Sequence, residues 1–536
     1  MGPGFDYQLV IGQILNTGLT AAPNQRITYA DQVEMSYAQF GQRVGRLGSA
    51  LTALGLGQGS VVAVMDYDSN RYLESFFAVP MLGATLHTVN VRLSPEQILY
   101  TINHAEDDAI LVHEDFLPLL LPLVPRFNRP ARLILLADKP ATLPTGFAGE
   151  YEALLATANP THSFPELAET TRATLFYTTG TTGDPKGVSY SHRHLVLHTL
   201  GVIAGFAPIP GKGGVKSDDV YMPLTPLFHV HGWGFPLVAI MLGMRQVYPG
   251  RYEPAKLLGL ITKHNVTFSH CVPTILAMIL GAPGSADADL SRWKVIIGGS
   301  ALPEGLARAA MARGIDVHAA YGMSETCPIM TVADMVATQG SGDTTSIRVA
   351  TGKAAPMVQL RIVDPDMADV PHDGKSTGEV VARAPWLTQS YLRNEAGTAA
   401  LWAGGWLHTG DVGAMSADGT LRITDRLKDV IKSGGEWISS LELESIISVV
   451  PGVLEAAAVG IPDARWGERP VVWVVVKEGS DVEGAAHAAV SHAIAEGKLS
   501  KWAAPERVMT VPAIPKTSVG KIDKKAIRAA IAAASA

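Results

Sequence analysis

Apolar positions between residues 35 and 165 recur first at helical and then at strand spacing. Phe40, Val44, Leu47, Leu51 and Leu54 fall on one face of a helix over Tyr37–Leu54, and Gly55–Gly59 ends it. Ser60–Asp66 is a short β-branched apolar run and predicts a buried strand. Leu73–Val79 returns to helical spacing, with Pro80 as its expected stop. The rhythm continues through Tyr252–Ile261, Val266–Cys271, Ser291–Ile297 and Ile315–Ala319. Alternation of this kind predicts an α/β fold, a parallel sheet covered by helices. After Gly352 the segments shorten to Val358–Asp364, Gly378–Arg383 and Thr420–Thr424, which predicts a small β-rich subdomain.

The texture changes again near Asp425–Asp429. A helix over Ser440–Val449, strands at Leu454–Ile461 and Val471–Val476, a helix from about Asp481 and a strand at Arg507–Val511 predict a small α+β domain. Its end is basic, with eight Lys or Arg against two Asp or Glu from Lys498 onward, and the Ala-rich last residues read as a fraying helix.

Composition narrows the function classes. The chain has 536 residues, 47% hydrophobic and 17% charged, with 53 Gly and 2 Cys. That length predicts several domains, and the balance excludes disordered, coiled-coil and collagen-like chains. Cys271 and Cys327 cannot build a disulfide framework, so a reducing cytoplasm is expected. A net charge of −7 without a long basic block argues against nucleic acid. The longest apolar stretch, Gly232–Met244, falls short of the ~18–20 residues of a membrane-spanning helix. The first residues lack a signal-peptide pattern.

The glycines gather where chemistry is possible. Tyr177-Thr178-Thr179-Gly180-Thr181-Thr182-Gly183-Asp184-Pro185-Lys186-Gly187 follows a predicted strand and precedes a helix. Backbone N–H groups of such a loop can approach an anion, threonine hydroxyls add donors, and Lys186 brings a positive charge. The loop lacks the Gly-Lys-Ser/Thr ending of a Walker A motif, which disfavours a P-loop kinase or GTPase.

With its Pro-Lys-Gly ending, this loop resembles that of the adenylate-forming superfamily of acyl-CoA synthetases, adenylation domains and beetle luciferases. Further segments resemble the family's motifs in the same order. They are Pro226-Leu227-Phe228-His229-Val230-His231-Gly232-Trp233, Gly298-Gly299-Ser300-Ala301-Leu302-Pro303, Tyr321-Gly322-Met323-Ser324-Glu325-Thr326, Trp406-Leu407-His408-Thr409-Gly410-Asp411, Asp425-Arg426-Leu427-Lys428-Asp429 and Pro515-Lys516-Thr517-Ser518-Val519-Gly520-Lys521.

The resemblance implies a large N-terminal domain over residues 1–427, of stacked αβ subdomains plus the β-rich one, and a mobile lid over 428–536 hinged at Lys428. It implies ATP, Mg²⁺ and CoA as cosubstrates or cofactors. Catalytic roles fall on Lys521, His229, Thr182 and Glu325, with Glu325 and Thr182 toward the metal. ATP or AMP contacts fall on Thr178, Thr179, Gly180, Thr181, Thr182, Gly183, Lys186, Gly299, Ser300, Ala301, Ala320, Tyr321, Gly322, Met323, Ser324, Asp411 and Arg426. The acyl pocket is assigned to His231, Gly232, Trp233, Phe235, Ile297 and Met323. The CoA tunnel is assigned to Ser433, Gly434, Gly435, Glu436 and Trp437.

Chemistry agrees with these roles. Joining a carboxylate to the α-phosphate of ATP brings anions together, and a positioned Lys with Mg²⁺ offsets their repulsion. Glu325 offers the hard oxygen that Mg²⁺ prefers. The segments Leu86–Ser94 and Lys432–Ser440 resemble the medium- and long-chain fatty-acyl group, and Trp233 resembles its acyl-tunnel gate. The expected activity is therefore that of an AMP-forming acyl-CoA ligase for a medium-chain or fatty-type acid. The alternatives are an enzyme loading a carrier protein, or a ligase for a small branched, cyclic or sulfur-containing acid. A homodimer is expected from the fatty-acyl relatives.

Overall fold

The computed structural model describes residues 5–178, 184–209, 213–339, 342–434, 436–497, 499–517 and 521–535. Among them, two large sheets form the body. One has the spatial order Phe147–Glu150, Arg132–Leu136, Ala109–His113, Val61–Met65, Thr85–Thr88, Arg172–Tyr177, Gly187–Ser191. Its pairs are parallel except the last, where Arg172–Tyr177 turns back as the hairpin partner of Gly187–Ser191.

The other sheet runs Lys353–Ala354, Ile329–Val332, Asp316–Gly322, Lys294–Ile297, Phe268–Cys271, Val220–Pro223, Arg245–Tyr248, Arg26–Tyr29, Val33–Ser36, parallel in its middle and antiparallel at both ends. The α/β prediction is thus met by two sheets. The hairpin Arg26–Ser36, which no periodicity announces, docks beside Arg245–Tyr248 with Ile27 opposite Gln246. Central strands such as Val61–Met65 are buried at every position, so they read as unbroken apolar runs.

Pro80 does not stop its helix. The helix spans Asn70–Met81, with Ser69 as its cap accepting the Tyr72 N–H at 3.1 Å. Pro80 falls in the last turn and removes one backbone donor only, while burial from Asn70 to Pro80 holds the element in place. All-round burial also hid its first residues from the 3.6-residue pattern.

The predicted β-rich subdomain is an antiparallel sheet of Gln359–Val363, Thr377–Arg383, Leu407–Met415 and Leu421–Arg426. Beyond it, Val453–Asp463 and Gly467–Val476 form a long hairpin. Arg507–Thr510 lies parallel to the second strand, and Ile431–Ser433 joins on with Glu436–Ile438. Both faces of this last sheet are covered. Val472 and Val474 pack toward the helices Ser440–Ser448 and Glu483–Ala495, while Val459, Val471, Ile527 and Ile531 form a separate core under Lys524–Ser535. The segment from Ile431 therefore has apolar cores of its own. No helix among the described residues is long and apolar enough to cross a membrane.

Candidate active site

The His229, Gly298-Gly299, Tyr321 and Lys521 motifs meet at the C-terminal ends of parallel strands in the nine-stranded sheet, with the C-terminal segment against them. This is the end of an open α/β sheet at which ligands bind. A small cavity is lined by His229, Val230, Trp233, Gly298, Gly299, Ala320, Tyr321, Gly322, Met323, Ser324, Pro328, Ile329 and Lys521.

Lys521 enters from the C-terminal segment. Its N–H donates to Thr517 Oγ1 at 3.2 Å and its carbonyl accepts the Thr517 N–H at 2.7 Å, which closes the turn that presents the side chain. The aliphatic stem rests on the Gly298-Gly299 turn, where a Cβ on Gly299 (φ +78°) would lie 3.3 Å from Lys521 Cε. Burial, with repulsion from Arg426, lowers its pKa to about 8, although Asp411 and Glu325 pull the other way. Ser300 and Ala301 continue the turn on the exposed side.

An acidic residue bonded to the lining residue Tyr321 is tightly held. Asp411, 4% exposed, accepts the Tyr321 hydroxyl at 2.7 Å through Oδ2 and pairs with Arg426 Nε at 3.1 Å through Oδ1. Its own N–H donates to Thr409 Oγ1 at 3.1 Å. Attraction to Asp411 is the main cause of the raised pKa of Arg426.

Glu325, next to the lining residue Ser324, is 5% exposed. Its Oε1 accepts the Tyr391 hydroxyl at 2.7 Å, and its carbonyl accepts the Thr388 N–H at 3.0 Å. Burial raises its pKa, partly offset by the Tyr391 hydrogen bond and the charges of Arg426 and Lys186. Neighbouring Ser324 offers its carbonyl to the Tyr190 hydroxyl at 2.6 Å. Tyr391 and Tyr190 are support that the sequence reading missed. Nothing in local spacing connects them to Glu325.

The predicted phosphate loop leaves its strand at Thr178 and returns at Lys186. The Thr178 N–H donates to the Lys186 carbonyl at 2.9 Å, and the Lys186 N–H to Thr178 Oγ1 at 3.4 Å, which closes the neck. Lys186 Nζ lies 4.7 Å from the Tyr391 ring centroid, so Tyr391 links Lys186 to Glu325. Thr179, Gly180, Thr181, Thr182 and Gly183 lie outside the described residues.

His229 ends a loop fixed from the other sheet. Asp68 Oδ1 accepts the Leu227 N–H at 2.8 Å, and the Thr88 hydroxyl donates to the Phe228 carbonyl at 3.0 Å. Burial, with Lys521 and Arg92 nearby, lowers the His229 pKa to about 3, so its ring is neutral at ordinary pH.

Five residues with positive φ follow: Val230 (+48°), His231 (+56°), Gly232 (+56°), Trp233 (+58°) and Gly234 (+75°). A left-handed turn carrying Val, His and Trp costs about 1–2 kcal/mol per non-glycine residue and persists only where packing dictates it. The turn sends neighbours in sequence to different places. Trp233 reaches the cavity with Met323. His231 is buried among Phe76, Phe176 and Tyr190, and among the described residues no partner reaches either ring nitrogen. A Cβ on Gly232 would meet Leu227 and Pro236, Phe235 packs on Phe206, Phe268 and His270, and Ile297 lies in the core beneath the sheet. Of the six acyl-pocket candidates, the structure brings only Trp233 and Met323 to the cavity.

The predicted CoA segment faces elsewhere. Ser433 is buried and Glu436 exposed, and a Cβ on Gly434 (φ +61°) would lie 2.6 Å from Trp502. Gly435 and the side chain of Trp437 lie outside the described residues. Lys428 follows Asp411 and Arg426 on the connection from Leu421–Arg426 to the C-terminal segment, and burial with the Arg426 charge lowers its pKa.

No cluster of three or more metal-ligating His, Cys, Asp or Glu occurs among the described residues. One buried carboxylate beside a phosphate-type loop nevertheless fits Mg²⁺, which typically takes one or two protein oxygens and completes its shell with substrate phosphates and water.

Residues 17–392 match the family model described as AMP-binding enzyme, and residues 442–521 match that of its C-terminal domain. The chain belongs to the AMP-binding enzyme family. A long-chain-fatty-acid–CoA ligase of Thermus thermophilus is 39% identical over 501 residues, 92% of this chain and 89% of that one. A 3-methylmercaptopropionyl-CoA ligase of Ruegeria pomeroyi is 37% identical over 505 residues, 92% and 91% of the two chains. Among solved structures, the anthranilate CoA ligase AuaEII in complex with anthranoyl-AMP superposes with TM-score 0.88 at 25% identity, covering 99% of each chain. The family membership accounts for the two-part fold, a large N-terminal body and a small C-terminal domain.

Proposed function

We propose that the protein is an AMP-forming acyl-CoA ligase acting on a medium-chain or fatty-type carboxylic acid. The observation that carries this reading is Lys521, seated on the Gly298-Gly299 turn within one cavity with His229 and Tyr321. A carboxylate oxygen attacks the α-phosphorus of ATP, and the bond to the departing pyrophosphate breaks. The CoA thiol then gives up its proton, its sulfur bonds to the acyl carbon, and AMP leaves with the electrons of the broken acyl–oxygen bond.

Each side chain has a physical task. The Lys521 ammonium offsets repulsion between carboxylate and phosphate in a water-poor site. Asp411, oriented by Tyr321 and Arg426, accepts hydrogen bonds from ribose hydroxyls. Neutral His229 lies beside the acyl carboxylate without competing with Lys521 for charge. Glu325 would hold Mg²⁺, which would supply positive charge against the phosphates. Residues 428–536 act as the lid, turning at Lys428 to bring Ser433–Trp437 to the acyl-adenylate.

The names of the Thermus and Ruegeria relatives support the reaction class and differ in the acyl group. The test is acid-dependent pyrophosphate release, followed by AMP release on adding free CoA. Pyrophosphate release without any response to CoA would favour an enzyme that loads a carrier protein.

A further inference from the structure

Trp233 is braced from behind. Its ring lies 5.2 Å from that of His270, inclined by 35°, and His270 lies 4.9 Å from Phe235 in a near-parallel stack. His270 stands in the buried strand Phe268–Cys271 with both ring nitrogens engaged, Nε2 by the Tyr221 hydroxyl at 2.8 Å and Nδ1 by Thr225 Oγ1 at 3.2 Å. On its far edge Trp233 presses on the glycine turn, where a Cβ on Gly298 would lie 3.0 Å from Trp233 Cη2. The backbone is pinned as well, since a Cβ on Gly234 would fall 2.7 Å from the His198 ring. The indole therefore spans the space between a hydrogen-bonded shelf and the glycine turn on which the Lys521 stem rests, and it lines the cavity there.

We propose that Tyr221, His270 and Thr225 are specificity-positioning residues. They hold Trp233 against Gly298 and thereby limit the length of acid the site accepts, favouring short and medium chains over long ones. This rests on the acyl-CoA ligase reading. The physical basis is the stiffness of the shelf. An imidazole with both nitrogens bonded and the rings of Trp233 and Phe235 packed against it is restricted in orientation, so Trp233 cannot move toward it without displacing that ring. One methylene of pocket depth changes discrimination by about 10–200-fold, so a retreat of about one carbon's length is enough to change the preference measurably.

The experiment compares kcat/KM for dodecanoate with that for butanoate, by pyrophosphate release, in the wild type and in Trp233→Ala, His270→Ala, His270→Phe and the double variant Tyr221→Phe/Thr225→Val. The ratio is read a second time as the relative affinity for the two corresponding acyl-sulfamoyl adenosines, which requires no turnover. Trp233→Ala and His270→Ala are expected to raise the long-to-short ratio by about tenfold or more. The double variant, which keeps every ring and removes both hydroxyls, should raise it by a smaller factor. His270→Phe, which restores stacking without hydrogen bonds, should fall between His270→Ala and the wild type. A purely structural role would lower stability or overall rate and leave the ratio alone. Ratios within twofold of wild type in His270→Ala and the double variant overturn the proposal, and so does an unchanged ratio in Trp233→Ala. If the wild type turned over no acid, the ligase reading would fall, while the affinity ratio would still decide this one.

Discussion

The Tyr391 hydroxyl donates a 2.7 Å hydrogen bond to Glu325 Oε1, tying two residues 66 positions apart into one buried pair. The bond favours the ionised carboxylate against the burial that disfavours it. Tyr391→Phe should therefore raise the Glu325 pKa further. Since the proposed role requires the ionised carboxylate, the acid limb of the pyrophosphate-exchange profile should move to higher pH, with a loss near neutrality of about tenfold. An unmoved acid limb would separate Glu325 from the adenylation step.

In the proposed mechanism Lys521 acts through its positive charge, and burial, which lowers its pKa to about 8, brings the loss of that charge toward neutral pH. Pyrophosphate release should fall as pH rises through about 8, and Lys521→Arg should remove that limb, because arginine stays charged. Lys521→Ala should slow adenylation by roughly 10²–10³-fold while sparing thioester formation from supplied acyl-adenylate. Equal loss in both half-reactions would remove the assigned role.

The C-terminal helix Ser440–Ser448 is docked on the body in a state that admits Lys521. Asp425 Oδ2 accepts the Ser440 N–H at 2.6 Å, Arg422 pairs with Glu442 at 2.8 Å, and a Cβ on Gly305 would lie 2.8 Å from the Ser448 carbonyl. Because that obstacle is backbone, Gly305→Leu should push the lid from its seat. The expected result in single-turnover assays is adenylation slowed by about tenfold with thioester formation from acyl-adenylate unchanged.

Lys428→Pro tests the hinge from the other side. Proline fixes φ near −65° and limits the backbone excursion that a rotating lid requires. Thioester formation should drop while the first pyrophosphate burst persists, and unchanged thiolation kinetics would place the hinge elsewhere.

Much of this site was legible because its charged members sit in contiguous motifs whose residue types carry their chemistry. Glu325, Asp411, Arg426 and Lys521 are of this kind. The alternating β and α periods likewise gave the α/β class. What stayed hidden depends on long-range placement. Tyr391 and His270 are single residues in ordinary surroundings, and only tertiary contact makes them supports. His231, Gly232 and Phe235 look like pocket residues by adjacency to His229, but the left-handed turn at Val230–Gly234 sends each to a different wall. The Asn70–Met81 helix ran past Pro80 because burial on every side outweighed one missing hydrogen bond.

The hairpin at Arg26–Ser36 has a consequence for the order of assembly. Its first strand completes the nine-stranded sheet only against Arg245–Tyr248, with Ile27 opposite Gln246. At about 5–20 residues per second of synthesis, that partner emerges roughly ten to forty seconds after the hairpin itself. The seven-stranded sheet, whose last strand ends at Ser191, can close in the interval. The hairpin is thus made well before the strand it docks against, and its place in the sheet exists only once Arg245–Tyr248 has followed.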